Sequence, residues 1–404
     1  MSRHVSRLRT ASARRLAVVA SLAVALALTA GIAQGALTGS GPVPPPKPLA
    51  AAILAALQAP EPEGVTARIE FTNRLPPSGS LPRHTASPLL SGADGRLWIQ
   101  KSGDFRVELQ SDAADVQIVA VGDRLTVYDA SAQKLYRVRL PRVQRGVSDP
   151  GDGRLTLAKV QRALDRLART WSLSRAEPGS LAGRPAYAVK VAPAQRGGLL
   201  GAAALAWDAV RGTPLRAALY ARGRAEPVLE LKASEISYGR VADADVRVAP
   251  PSGAEVVELD PVHDPKPHAS RPPARREHPA AAEGAAAVQR RLGFELVAPA
   301  RLAGLPRTDV RLVTFDGRRG ALALYGEGLG AIAVLQRAAS DARDRREGRR
   351  RALRLPRIDV GGATGTELAT ALGTVITFER GGVAHVVAGS VPPAVAEKAA
   401  RGLR

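Results

Sequence analysis

The sequence predicts an α+β protein: a large curved antiparallel β-sheet with covering helices, followed by a smaller α+β domain. Three observations lead there. Between Val65 and Leu259, about ten short segments carry strand signals, several with the period-two alternation of half-buried strands. One amphipathic helix, in "TLAKVQRALDRLARTW", interrupts them. A stretch dense in Pro, His and charge, Asp260–Gly284, then separates these strands from a second set that ends in a helix.

The elements follow in chain order. "MSRHVSRLRTASARR" holds five arginines and no acid, and the 17 residues Leu16–Ile32 that follow hold no charge. A basic start before an apolar run is an export signal, and its length fits either a cleaved signal or a retained anchor. In both cases the positive-inside rule places the rest of the chain outside the cytoplasmic membrane. Residues 1–35 are therefore read as signal peptide or signal anchor, and residues 36–48, with "GPVPPPKP", as a stiff extended spacer. Leu49–Ala59 is a short apolar helix.

Strands come next. In "DFRVELQ", Phe105, Val107 and Leu109 alternate with Arg106, Glu108 and Gln110. The helix sets Leu157, Val160, Leu164, Leu167 and Trp171 on one face, and Lys159, Arg162, Asp165, Arg166 and Arg169 elsewhere. That stripe reads as plain packing against the sheet or, more sharply, as a lid over a concave sheet. "WDAVRGTP" has the Asp, Gly and Pro of a connection, which makes Asp208 a turn residue and not a catalyst. "LRAALYARG" and "EPVLELKASEISYG" then read as an antiparallel hairpin. Its first strand sets Leu215, Ala217 and Leu219 on one face and Arg216, Ala218 and Tyr220 on the other, with the arginines in turns and on the outer face.

The first domain spans 49–259 and the linker 260–287. The second domain, 288–404, holds a meander of three strands, an Arg-rich loop "DARDRREGRRR", two further strands and a terminal helix in "SVPPAVAEKAARGL".

Composition narrows the chemistry. There are no cysteines, which excludes disulfides, thiol catalysis and Cys-ligated zinc. The net charge is +21, but only 8 of the 58 basic residues are lysine and the arginines are spread along the chain. No glycine–aromatic nucleic-acid motif accompanies them, so a solvated basic surface is read and no nucleic-acid partner. Three of the six histidines lie in the linker, where the prolines of "HDPKPH" prevent helical presentation, and no metal site is expected. His385 alternates along a strand without an acid partner, as a surface or satisfied core histidine. No nucleophile elbow, zinc-protease helix or phosphate loop is present; "GEGLG" reads as a hairpin turn. No cofactor and no catalytic residue are expected, and the chain is read as not an enzyme.

The segments "LAGRPAYAVKVAP", "LAWDAVRGTPLRAALY" and "SYGRVADADVRVAPPSGAEVVEL" resemble the LolA/LppX-like and MucB/RseB superfamily of exported lipid- and lipoprotein-handling proteins. The resemblance covers roughly Leu49–Leu259. The later segments "GFELV", "YGEGLGAIAVLQ", "GGATGTEL" and "GTVITFERGGVAHVVAGSVPPAVAEKAARGL" resemble the small second domain of MucB/RseB-type regulators. This chain departs from them by a longer Pro-rich spacer, an Arg-rich loop and a long linker.

The resemblance implies a half-barrel whose open side is plugged by helices, with an apolar cavity between. The cavity candidates are Leu157, Val160, Leu164, Leu167 and Trp171 from the helix, and Phe105, Val107, Leu109, Leu215 and Leu219 from the sheet. It further implies a non-enzymatic extracytoplasmic protein that binds an acyl lipid or lipoprotein. A membrane-associated envelope sensor holding a membrane anti-sigma factor comes first, a lipid or lipoprotein carrier second and an envelope hydrolase third.

Overall fold

The computed structural model describes residues 40–76, 87–112, 114–140, 155–194, 197–249, 251–259, 284–315, 318–339 and 355–404. The export segment, residues 260–283 of the linker and the Arg-rich loop lie outside the described residues. The chain forms two compact units.

The first unit is one curled sheet of thirteen strands, a half-barrel, where about ten strands were expected from the pattern. Its strands are β1 (Gly64–Asn73), β2 (Ala93–Gln100), β3 (Phe105–Gln110), β4 (Asp115–Val121), β5 (Arg124–Asp129) and β6 (Lys134–Arg139). After a helix come β7 (Trp171–Leu173), β8 (Glu177–Leu181), β9 (Arg184–Pro193), β10 (Leu200–Asp208), β11 (Pro214–Ala221), β12 (Pro227–Tyr238) and β13 (Glu255–Leu259). The spatial order is β13-β6-β5-β4-β3-β2-β1-β12-β11-β10-β9-β7, with β8 on β9. Sequence neighbours pair through short turns, so most of the ladder is antiparallel. The exception is β13, which returns to pair with β6 in parallel, Val257 opposite Tyr136. Irregularities at Arg68/Ile69 and Leu219/Tyr220 fall in the middle of the sheet, where bulges increase twist and help it curl.

Among the described residues four short helices accompany the sheet: α1 (Leu49–Gln58), α2 (Pro88–Ser91), α3 (Leu157–Leu167) and α4 (Asp243–Val246). The sequence pattern carried the third helix on to Trp171, but it stops at Leu167. Thr156 caps its start by accepting from the Lys159 amide. Beyond Ala168 the chain turns into β7, so Trp171 is a strand residue paired with Pro193.

The second unit is an eight-stranded sheet: β14 (Arg301–Leu302), β15 (Leu305–Phe315), β16 (Arg318–Tyr325), β17 (Ile332–Ala338), β18 (Arg357–Val360), β19 (Ala363–Thr370), β20 (Gly373–Arg380) and β21 (Val383–Gly389). The order is β14-β15-β16-β17-β21-β20-β19-β18. "GEGLG" joins β16 to β17 through a single 3-10 turn, Gly328–Gly330, as a hairpin connection should. Helices α5 (Ala285–Gln289) and α6 (Pro393–Arg401) supply Val288, Ala396, Ala399 and Ala400 to a core with Val334, Ile376 and Val387. Two glutamines hold the extended chain between α5 and β14. Gln289 donates to the Phe294 carbonyl at 2.9 Å and accepts from the Leu296 amide at 2.7 Å. Gln336 does the same to Val297 alone, at 2.7 and 3.0 Å.

Candidate functional site

Residues facing each other across a ladder share one face of a sheet. Following the first unit's register from Ile118 gives one continuous row. Ile118 lies opposite Val107, Val107 opposite Leu97, Leu97 opposite Ala67, and Ala67 opposite Ile236. In the other direction Ile118 faces Val127 and Val127 faces Tyr136. A second row runs from Phe71 to Leu231 and on to Ala217. Every link is apolar. Period-two patterning in "VTARIEFTN", "FRVEL" and "VLELKA" produces this face, and the acids and bases of the same segments fall on the other.

Ala67, Ile69, Phe105, Val107, Leu109, Val116, Ala120 and Ala233 are buried in one cluster on that face. Around them Phe71, Leu97, Ile99, Ile118, Leu125 and Val127 are only half-buried. Leu89 of α2 packs onto the cluster. At the far end of the sheet, Tyr187, Val189, Leu205 and Trp207 pack under Leu49, Ile53 and Ala56 of α1.

The cavity candidates therefore divide. Phe105, Val107 and Leu109 sit together in the buried cluster. Leu215 and Leu219 are also buried, and Leu219 lies opposite Leu229, on the Leu231 side of β12. The helix leucines are elsewhere: α3 packs on α1, and Gln58 of α1 donates to the Leu155 carbonyl at 3.3 Å. Val160 is buried and Leu164 half-buried, but Leu157 and Leu167 remain 50% and 39% exposed. Trp171 packs with Ala202, Ala218 and Tyr220.

Two polar arrangements were not legible in the pattern, and a third was legible only in its turn. Arg216, expected on the outer face, is largely buried. It meets Glu230 at 2.5 Å and donates to the Tyr220 hydroxyl at 2.7 Å. Burial pulls its pKa down, but the Glu230 carboxylate and Tyr220 outweigh that and hold the guanidinium charged. Asp208 is the turn residue expected: one carboxylate oxygen accepts from the Val210 and Arg211 amides at 2.8 and 2.9 Å, and the other accepts from Tyr238 at 2.7 Å. Burial, reinforced by Asp208, raises the Tyr238 phenol. The Pro-rich segment is not a free spacer. Tyr187 donates to the Pro45 carbonyl at 2.6 Å, and Gly41 lies so close to Ser180 that a Cβ there would collide with its hydroxyl. The signal for that contact is only a lone tyrosine in "GRPAYAV", far along the chain.

Among the described residues no group of three or more His, Cys, Asp or Glu side chains is placed to hold a metal ion. No described helix is long and apolar enough to cross a membrane. His385 is a core histidine stacked on Phe378, ring centroids 4.6 Å apart. Burial, with Arg380 nearby, lowers it to about 4.

No family model matches the sequence, and no curated protein matches it. Solved structures similar to this chain include MucB in complex with MucA(peri), with a TM-score of 0.40 and 17% identity over 88% of this chain and 96% of that one. The MucA/MucB complex of Pseudomonas aeruginosa gives 0.40 and 17% over 87% and 94%. A putative outer membrane lipoprotein-sorting protein domain from Vibrio parahaemolyticus gives 0.22 and 10% over 49% and 95%.

Proposed function

We propose that this chain is a non-catalytic extracytoplasmic protein that takes acyl chains, of a lipid or a lipoprotein, on the concave face of its first unit. In this reading it is an envelope sensor that acts on a membrane anti-sigma factor. One observation carries the binding half: an unbroken apolar face whose members Leu97, Ile99, Ile118, Leu125 and Val127 are still half-open to solvent. A sheet face of this kind favours an apolar, non-directional ligand. Each methylene buried on it contributes about 0.8 kcal/mol, so about ten would supply on the order of 8 kcal/mol before ordering costs. The sensor half rests on the motifs of the second unit and on the arginine-rich, apolar start of the sequence, which supports export.

The test is native mass spectrometry of the purified protein for co-purified lipid, with displacement by a fluorescent fatty acid. Ile118→Asp puts a carboxylate on the proposed face and should abolish uptake while Arg96→Asp, at an exposed position outside the apolar row, leaves it intact. Equal binding by both variants would refute the site. Delivery of bound lipid to acceptor vesicles, with no association with a membrane anti-sigma factor, would replace the sensor by a carrier.

A further inference from the structure

Among the described residues six large apolar side chains are exposed: Val43, Leu140, Leu157, Leu167, Val210 and Val256. Leu140 and Val256 lie at the β6–β13 edge of the first unit's sheet. The other four surround α1. Leu157 and Leu167 open and close α3, which packs on α1. Val210 belongs to the turn after β10, whose Gly212 rests against the Ala56 carbonyl of α1. Val43 stands two residues before Pro45, and the Tyr187 that holds Pro45 packs in the cluster under α1. Helix α1 is uncharged and apolar from Leu49 to Leu57, a composition that belongs away from water. Only Ala50 and Ala52 of it are buried, and Leu54 and Leu57 are half-open.

The charges beside this patch are nearly all of one sign. From Leu157 to Arg169 the chain carries Lys159, Arg162, Arg166 and Arg169 against Asp165 alone. Arg162, Arg166 and Arg169 are exposed and spaced by four and three, so they share one side of α3 and the turn that extends it. Asp165 accepts from the Gln161 amide at 2.8 Å. Helix α1 has no acid; Glu61 and Glu63 follow its end. A soluble acidic ligand would satisfy the arginines and leave the apolar side chains in water. A bilayer surface takes both, phosphates at the guanidiniums and acyl chains at the leucines and valines. The sequence also brings this end of the unit to a membrane. Leu16–Ile32 stops thirteen residues before Pro45. With that run kept in the bilayer, Pro45 stands at most about 45 Å from it.

We infer that α1, α3 and the Val210 turn form a docking surface for an anionic lipid bilayer. Helix α3 lies at the level of the headgroups, with Arg162, Arg166 and Arg169 on phosphates. Leu157, Leu167 and Val210 enter the boundary of the acyl region, as the apolar side of an interfacial helix does. This surface is not the concave face: Leu157 and Leu167 lie outside the cluster that holds Phe105, Val107 and Leu109. The docking does not depend on what that face binds.

The sequence has no cysteine, so one introduced thiol carries a fluorophore at a chosen site. Full-length protein labelled with bimane at Leu157→Cys, or at Ala225→Cys in the exposed β11–β12 turn, is reconstituted into vesicles. Strand β11 runs from the Val210 turn to the Ala225 turn, so the second label marks its far end. The vesicles are brominated phosphatidylcholine alone or an equal mixture with phosphatidylglycerol. In the mixed vesicles quenching at Leu157→Cys should be about threefold that at Ala225→Cys, and in neutral vesicles or high salt the two should be equal. Arg162→Glu, Arg166→Glu and Arg169→Glu together should remove the difference, and Gln at the same three positions should weaken it. All three positions are exposed, and an unchanged melting curve shows that these variants fold. Ile118→Asp should leave the quenching as it is, which separates a failure of the acyl-binding face from a failure here. Equal quenching at the two labels in mixed vesicles, quenching indifferent to lipid charge, or quenching unmoved by the arginine changes would overturn the inference. Binding of polyglutamate through the three arginines, with the Leu157→Cys label unquenched by lipid, would overturn it too and assign the surface to an acidic protein.

Discussion

Gln336 offers a quantitative test of how the second unit is held. Its side chain is fully buried, and its amide spans both backbone groups of Val297, accepting from the N–H at 3.0 Å and donating to the carbonyl at 2.7 Å. Leucine has nearly the same volume and can do neither. Gln336→Leu therefore leaves a backbone donor and an acceptor without partners beside a fully buried side chain. Each such orphan costs about 1–3 kcal/mol, and the added apolar surface returns part of it, so the net loss should be about 2–4 kcal/mol. Gln289→Leu removes the analogous clasp on Phe294 and Leu296, but there water can take over, and about 1 kcal/mol is expected. All three tryptophans, Trp98, Trp171 and Trp207, lie in the first unit, so their fluorescence misses this change. Hydrogen exchange read on peptides covering 294–298 under increasing denaturant sees it directly. A Gln336→Leu protein within about 0.5 kcal/mol of the parent would refute the reasoning, because it would mean that the two backbone groups find other partners at no cost.

Three further expectations follow from the same kind of argument. Arg216→Met strands Glu230 in a site where that carboxylate is 12% exposed; unfolding by urea should show a loss of about 3–5 kcal/mol, and Arg216→Met with Glu230→Leu should recover most of it. Gly212 has φ +65° and sits against the Ala56 carbonyl of α1, so Gly212→Ala should lower the melting free energy by about 2–4 kcal/mol, whereas Gly223→Ala, φ +74° in open space, should cost about 1 kcal/mol. His385 has a native pKa of about 4, below its ordinary 6.5, so the folded state resists a proton that the unfolded state accepts. The His385 contribution to stability should be complete above pH 6.5 and be lost as pH drops from there towards 4; His385→Phe should flatten that part of the profile, and an unchanged slope would mean another group titrates.

The strands were legible because one face of each is buried and period-two alternation survives in short segments such as "DFRVELQ". The turn at Asp208 was legible because Asp, Gly and Pro each have a mechanical role in a turn. The helix end was not. The stripe Leu157–Leu167 continues in phase to Trp171, and only pairing with Pro193 turns that residue into a strand. Period alone also could not say what the helix covers: α3 rests on α1, an arrangement set by contacts distant in sequence. Arg216 looked like an outer residue because alternation reports which face a side chain takes and not whether that face is covered. Its partner Glu230 is fourteen residues away, across the β11–β12 ladder. The docking of Pro45 on Tyr187 joins residues 142 apart and leaves no local trace at all.

The central claim is that acyl chains lie on the concave face of the first unit. A fatty acid carrying a diazirine at mid-chain, equilibrated with the purified full-length protein and then irradiated, reports that location residue by residue. The account predicts labelling on the peptides that carry Leu97, Ile99, Ile118, Leu125 and Val127, suppressed by excess unlabelled fatty acid and lost in Ile118→Asp. Labelling confined to the second unit, or spread over the surface without competition, would contradict it.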